Sequence, residues 1–184
     1  DAVCTIMRPD GTILGRKFIN FSSDKDRMYR VLGRIRRFQR EHGSRQVQGR
    51  WAYAKRLNTE LGKKIAREIV FYASENRADV IVFEYLEMKG KLSGKKKQKL
   101  QMWRKRDIQK RCGQQAHRKG IRISRICAWN TSRLAFDGSG KIDRDIQDHR
   151  LCTFQNGKRY NCDLSASYNI GASYFIREIL KPLP

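Results

Sequence analysis

Val80-Ile-Val-Phe-Glu-Tyr-Leu-Glu87 is the stretch that decides the fold. Its four leading apolar residues, two of them valine, have the character of a strand buried on both faces. The run ends in a carboxylate, Glu84, with Glu87 equally eligible. In open sheets of parallel strands, chemistry collects beyond the carboxyl ends of the strands. The next residues, Met88-Lys-Gly-Lys-Leu-Ser-Gly-Lys-Lys-Lys-Gln-Lys99, read as a strongly basic loop. A strand-end acid beside a loop suited to phosphates points toward nucleic-acid chemistry.

The charge balance agrees. Lys and Arg number 41 against 18 Asp and Glu in 184 residues, a net charge of +23. Such a field draws polyanions. No apolar run approaches the ~20 residues of a spanning helix, and no signal peptide is visible, so no membrane partner is expected. The chain opens at Asp1 without a methionine, and the expectation is a piece of a longer protein. Five cysteines without a tight framework suit a reducing, cytoplasmic setting.

Outward from the central strand, the patterns alternate. Upstream, Arg8-Pro-Asp-Gly11 between two β-prone runs predicts a hairpin. Ser22 or Ser23 is expected to cap a helix running to about residue 39, with Met28, Val31, Ile35 and Phe38 on one face and Arg27, Arg30, Arg34 and Arg37 on the other. A second helix is expected over about 50–76. Downstream, a third helix is expected over about 98–119, with Gly120 after it, and Ile121–Ile126 alternates like a strand. Residues 129–160 are polar and turn-rich. A last helix is expected from Asp163, with Leu164, Tyr168, Ala172, Phe175 and Ile179 on one face. Hairpin, helices, strand, helix, strand, insertion and helix trace the outline of a ribonuclease-H-like α/β sheet.

The acids of interest are Glu84 and Asp163. Phosphodiester hydrolysis needs charge neutralised on the attacking and leaving oxygens, and hard divalent ions held by carboxylates do this. Asp163 also suits the N-cap of the last helix. Lys89, Lys91, Lys95, Lys96, Lys97, Lys99, Trp103 and Arg104 form the candidate nucleic-acid contacts. Residues 89–119 hold thirteen Lys or Arg against the single acid Asp107, and Trp103 offers a stacking surface. Cys127, Cys152 and Cys162 lack the paired spacing of a zinc site, so small buried thiols are the simpler reading. Cys4 and Cys112 fall in core patterns. No histidine has a nucleophile nearby in sequence.

Taken together, these segments resemble the RuvC-like nuclease half of the transposon-encoded TnpB (OrfB) proteins and the related compact type V CRISPR effectors. Val80–Glu84 resembles the second catalytic motif. Gln115–Ile123 resembles the stretch before the zinc ribbon, and Thr131-Ser132 its opening. Asp163-Leu-Ser-Ala-Ser-Tyr-Asn-Ile170 resembles the third motif. The resemblance implies a ribonuclease-H-like (RuvC-like) mixed sheet flanked by helices. It also implies RNA-guided DNA cleavage with Mg²⁺ or Mn²⁺, partners DNA and guide RNA, and a bacterial cytoplasmic, nucleoid-associated location. It carries Glu84 and Asp163 over as catalytic metal ligands and Asn169 as a motif residue without an assigned role.

Two departures stand out. The opening Asp-x-Gly motif has no counterpart, since Asp10-Gly11 lies in the hairpin turn. The first catalytic Asp is therefore expected upstream of this chain, which leaves this chain by itself inactive. The first Cys pair of the ribbon is replaced by Arg133–Gly140, which implies a ribbon without zinc. The domain reading is 1–126 with 163–184 as the RuvC-like unit, its first strand truncated, and 127–162 as an inserted, degenerate ribbon that binds target nucleic acid. The alternative function is a RuvC-like nucleic-acid-binding module without catalysis.

Overall fold

The computed structural model describes residues 2–43, 47–85 and 105–179. β1 (Ala2–Met7) and β2 (Ile13–Ile19) form the expected antiparallel hairpin. Its turn is fixed by two local features. Asp10 Oδ1 accepts the Thr12 N–H at 2.9 Å, and Gly11 takes a φ of +86° that other residues rarely adopt.

Two long helices come next, α1 (Ser22–His42) and α2 (Gln48–Glu75). Neither Ser22 nor Ser23 caps α1. The helix already includes both serines, and Phe21 holds the capping position without a side-chain hydrogen bond. The apolar face is as patterned: Met28 and Ile35 are buried against Ala54, with Val31, Trp51 and Leu57 around them.

α2 turns back through Asn76–Asp79 into β3 (Val80–Tyr85). α3 (Lys105–His117) and β4 (Arg122–Cys127) complete a β–α–β unit, with β3 and β4 parallel and Glu84 opposite Ile126. Gly120, at φ +71°, closes α3, and the Ile121 N–H returns to the Ala116 carbonyl at 2.9 Å. The insertion folds as a small antiparallel sheet of β5 (Asp143–Arg144), β6 (Leu151–Thr153) and β7 (Arg159–Asn161). α4 (Cys162–Ile179) ends the described chain.

Strand alternation sorts the side chains into two faces. Cys4, Ile81, Phe83 and Ile123 join Ile65, Ile69, Val70 and Ala73 of α2 and Cys112 of α3 in the main core. Their neighbours point the other way, to α4. Arg177 donates to Ser124 Oγ (2.6 Å) and the Arg125 carbonyl (2.8 Å), and Arg16 lies over the Tyr168 ring. The result is a layer of strands between α2 and α3 on one side and α4 on the other.

Pairings are mixed, parallel and antiparallel, but they are divided. β1–β2 and β3–β4 are separate two-stranded ladders, and β5–β6–β7 is a third sheet. No helix among the described residues is long and apolar enough to cross a membrane.

Candidate functional site

Glu84 stands at the carboxyl end of β3, after four apolar residues of which Ile81 and Phe83 pack into the main core. α3 is clipped to that strand end at two points. Lys105, its first residue, gives its ammonium to Glu84 Oε1. One turn on, Gln109 Nε2 donates to the Glu84 carbonyl at 3.1 Å, and Gln109 is buried. The Glu84 and Lys105 side chains are only 27% and 22% exposed, so water screens their attraction less than at an open surface.

Asp163 lies in the first turn of α4. It is not the cap. The helix begins one residue earlier, and Asn161 Oδ1 accepts the Leu164 N–H at 2.9 Å. The capping work thus falls to Asn161 and leaves the exposed Asp163 carboxylate without that task. Glu84, Lys105, Gln109 and Asp163 all line one cavity of about 970 Å³, which also touches β1, α2 and α4.

The donor chemistry of two carboxylates suits a hard divalent cation. The number does not. Among the described residues no group of three or more His, Cys, Asp or Glu could hold a metal ion, and Lys105 already neutralises Glu84. The described residues do not by themselves make a Mg²⁺ site.

Lys89, Lys91, Lys95, Lys96, Lys97, Lys99, Trp103, Arg104 and Glu87 lie outside the described residues. Asn169, left without a role by its motif, acts structurally. Its Nδ2 donates to the Thr131 carbonyl (3.0 Å) and the Leu134 carbonyl (2.8 Å), tying α4 to the start of the insertion.

Cys152 and Cys162 are buried with Ala135 and Phe154 beneath Phe136 and Tyr160. Burial, then the hydrogen bond with Cys162, pushes the Cys152 thiol up to about 12. Burial pushes Cys112 to about 12 and Cys4 to about 11. Thiols in that range are protonated near neutral pH and are not nucleophiles. Cys127 departs from the buried reading and is exposed.

Sequence reasoning singled out Glu84 and Asp163, which line one cavity, and did not name Lys105 and Gln109, which line it with them. Their spacing of four, on a helix that packs back over the strand, was the available signal.

No protein-family model matches the chain, and no curated protein matches it. Solved structures do. The chain is similar to part of Cas12f1 in a cryo-EM structure of the Cas12f1–sgRNA–target DNA complex, with TM-score 0.67 and 19% identity over 86% of this chain and 45% of that one. It is also similar to part of C2c1 of Alicyclobacillus acidoterrestris, crystallised with single-guide RNA, with TM-score 0.53 and 17% identity over 80% of this chain and 19% of that one. The chain spans less than half of the first and about a fifth of the second. It shares its α/β fold with a segment of type V CRISPR effectors.

Proposed function

We propose that this chain is the RuvC-like, ribonuclease-H-like nuclease module of an RNA-guided DNA-targeting protein related to the compact type V effectors and TnpB. The observation that carries the reading is the shared cavity. Glu84 at a strand end and Asp163 at a helix start face one space, on a fold matched by proteins solved with guide RNA and target DNA. In this reading Glu84 and Asp163 are two of the carboxylates that hold Mg²⁺ or Mn²⁺, and a further acid comes from outside the described residues. A bound divalent ion would supply charge neutralisation at the phosphodiester. Lys105 holds Glu84 in its orientation, and Gln109 fixes the strand end that carries it. Base pairing with the guide reads sequence, while Lys89, Lys91, Lys95, Lys96, Lys97, Lys99, Trp103 and Arg104 hold backbones.

The second reading is a binding module without cleavage. Lys105 favours it, because an ammonium on Glu84 supplies the positive charge that a metal would otherwise bring.

The experiment that separates them is plasmid cleavage by the full-length protein with guide RNA and Mg²⁺. Cleavage lost in both Glu84→Gln and Asp163→Asn, with target binding kept, supports the nuclease. Binding without cleavage in the unmodified protein supports the second reading. Replacing Lys95, Lys96 and Lys97 should weaken DNA binding uniformly across sequences and flatten its salt slope.

A further inference from the structure

Trp129 is 80% exposed, more than any other aromatic residue among the described ones. Tryptophan is highly buried on average, so a ring left in water needs a reason. Its setting supplies one. The ring stands on a turn held from several sides. Asn130 takes a φ of +61°, in the left-handed region that residues other than glycine seldom occupy. The Asn130 carbonyl accepts the N–H of Arg133 (3.0 Å) and of Leu134 (3.2 Å). Thr131 is buried, and its Oγ1 donates to the Ala128 carbonyl at 3.0 Å. Asn169 donates to the Thr131 carbonyl, and Arg144 Nη2 to the Ser132 carbonyl at 3.2 Å. A turn tied at so many points fixes the backbone under Trp129 before any partner arrives, which lowers the ordering cost of binding.

The turn lies at the rim of the acid-lined cavity. Ala128 and Ser132, on either side of Trp129 in the chain, line that cavity together with Glu84 and Asp163. β3 and β4 are parallel, so their carboxyl ends coincide, and Ile126 is the register partner of Glu84. Trp129 follows Ile126 by three residues, a reach of at most about 11 Å. Charge selects the partner. Arg133 and Arg144 are exposed, and neither is ion-paired among the described residues. No acid occurs between 128 and 136. A flat ring beside two arginines suits an unpaired base and the phosphates on either side of it. An apolar protein surface would cover the ring and leave both guanidinium groups unmatched.

We infer that Trp129 is a stacking platform for a base of an unpaired DNA strand, with Arg133 and Arg144 on the flanking phosphates, and that it holds the strand at the rim of the Glu84–Asp163 cavity. The choice of DNA rests on the nuclease reading, and the stack rests on the turn and its charges. Every base has a flat face, so the platform positions the strand without reading its sequence.

The test uses the full-length protein without guide RNA, in EDTA, and a short dT strand carrying one 5-iodouracil. Irradiation should join that base to Trp129, read by mass spectrometry on the tryptic peptide 126–133, in which Trp129 is the only aromatic residue. Trp129→Ala should weaken binding of the plain dT strand roughly tenfold. It should leave an abasic strand of the same length unchanged, since that strand keeps the phosphates and lacks the bases. Trp129→Phe should keep most of the affinity. Equal weakening for both strands, no change with either, or an adduct found only outside 126–133 overturns the proposal. So does a loss with an rU strand that is absent with dT. Cleavage is not read, so the two proposals fail separately. A protein that stacks dT on Trp129 and never cuts keeps this one and loses the nuclease reading.

Discussion

Nineteen residues separate Asp137 from Asn156, yet Asn156 Nδ2 donates to Asp137 Oδ2 at 3.0 Å. Each holds the same place in a turn. The Gly138 N–H returns to the Ala135 carbonyl (3.3 Å) and the Gly157 N–H to the Phe154 carbonyl (2.9 Å). Asp137 Oδ1 accepts the Ser139 N–H (3.0 Å) as Asn156 Oδ1 accepts the Lys158 N–H (3.1 Å). Both glycines sit near φ +80°. Two facing turns are thus closed by a side-chain pair over Phe136, Phe154 and Tyr160. Chelation by EDTA should leave the melting temperature unchanged, and Asn156→Ala should make the insertion more sensitive to protease. A rise in the protease sensitivity of the insertion with EDTA would place a metal in this unit.

The insertion should loosen in acid. Asp148 is drawn down to about 2 by its side-chain bond with Arg150 and by the Arg150 N–H. Asp145 is lowered by the N–H groups of Asp148 and Gln147, and Asp137 by Ser139. All three folded values lie below the unfolded one of about 3.9. Their contribution is therefore present above about pH 4 and fades as pH falls toward about 2. Near-ultraviolet dichroism of the Phe136–Tyr160–Tyr168 cluster should decline over that window. A flat signal down to pH 2 would show that these carboxylates do not support the insertion.

Two glycines face strands or helices at close range, and their neighbours differ. A methyl at Gly15 would meet the Tyr72 hydroxyl, whose ring is held beneath Lys17. A methyl at Gly171 would meet Met7 Sδ at 3.0 Å. Methionine is flexible and gives way; a packed tyrosine gives less. Gly15→Ala should cost about 1–3 kcal/mol, and Gly171→Ala should cost clearly less. Denaturant titration compares them. Recovery of Gly15→Ala by Tyr72→Phe would identify the hydroxyl as the obstacle.

Legibility in the sequence depends on range. The Met28–Ile35 face, the Asp10-Gly11 turn and the strand before Glu84 were legible because each is set within a few residues, whereas burial on both faces was not, since of Val80–Phe83 only Ile81 is buried. The division of the strands into separate ladders was not, since whether β1 pairs with β3 is decided between segments more than seventy residues apart. The cap of α4 was misplaced by two residues because Asn161 and Asp163 are equally good acceptors, and only the backbone shows which one meets the Leu164 N–H. Glu84 was visible as a strand end, but its counter-ion sits twenty-one residues on, beyond any local pattern.

Asn169 joins α4 to the insertion by giving both amide hydrogens to carbonyls, those of Thr131 and Leu134. Asn169→Asp sets a carboxylate against two acceptors and should cost roughly 2 kcal/mol. Asn169→Ala leaves the carbonyls to water and should cost less. Limited proteolysis between 128 and 145 should show the same order. Equal cleavage of Asp and Ala variants would mean that solvent already serves those carbonyls.

The contact between Lys105 and Glu84 sets the terms on which a cation can enter the cavity. The ammonium and a divalent ion compete for the same carboxylate, and the half-buried pair must be parted before the ion gains an oxygen. A pair of this exposure is worth about 1 kcal/mol, close to a tenfold change in affinity at ~1.4 kcal/mol per decade. Lys105→Met, which keeps the length and apolar stem, should therefore bind Mn²⁺ roughly tenfold more tightly, read by calorimetry or by the loss of the free-ion paramagnetic resonance signal. Glu84→Gln added to Lys105→Met should remove that gain. Unchanged Mn²⁺ affinity in Lys105→Met would mean that the lysine orients Glu84 without contesting its charge. Weaker binding would mean that Lys105 holds Glu84 in the pose the ion requires.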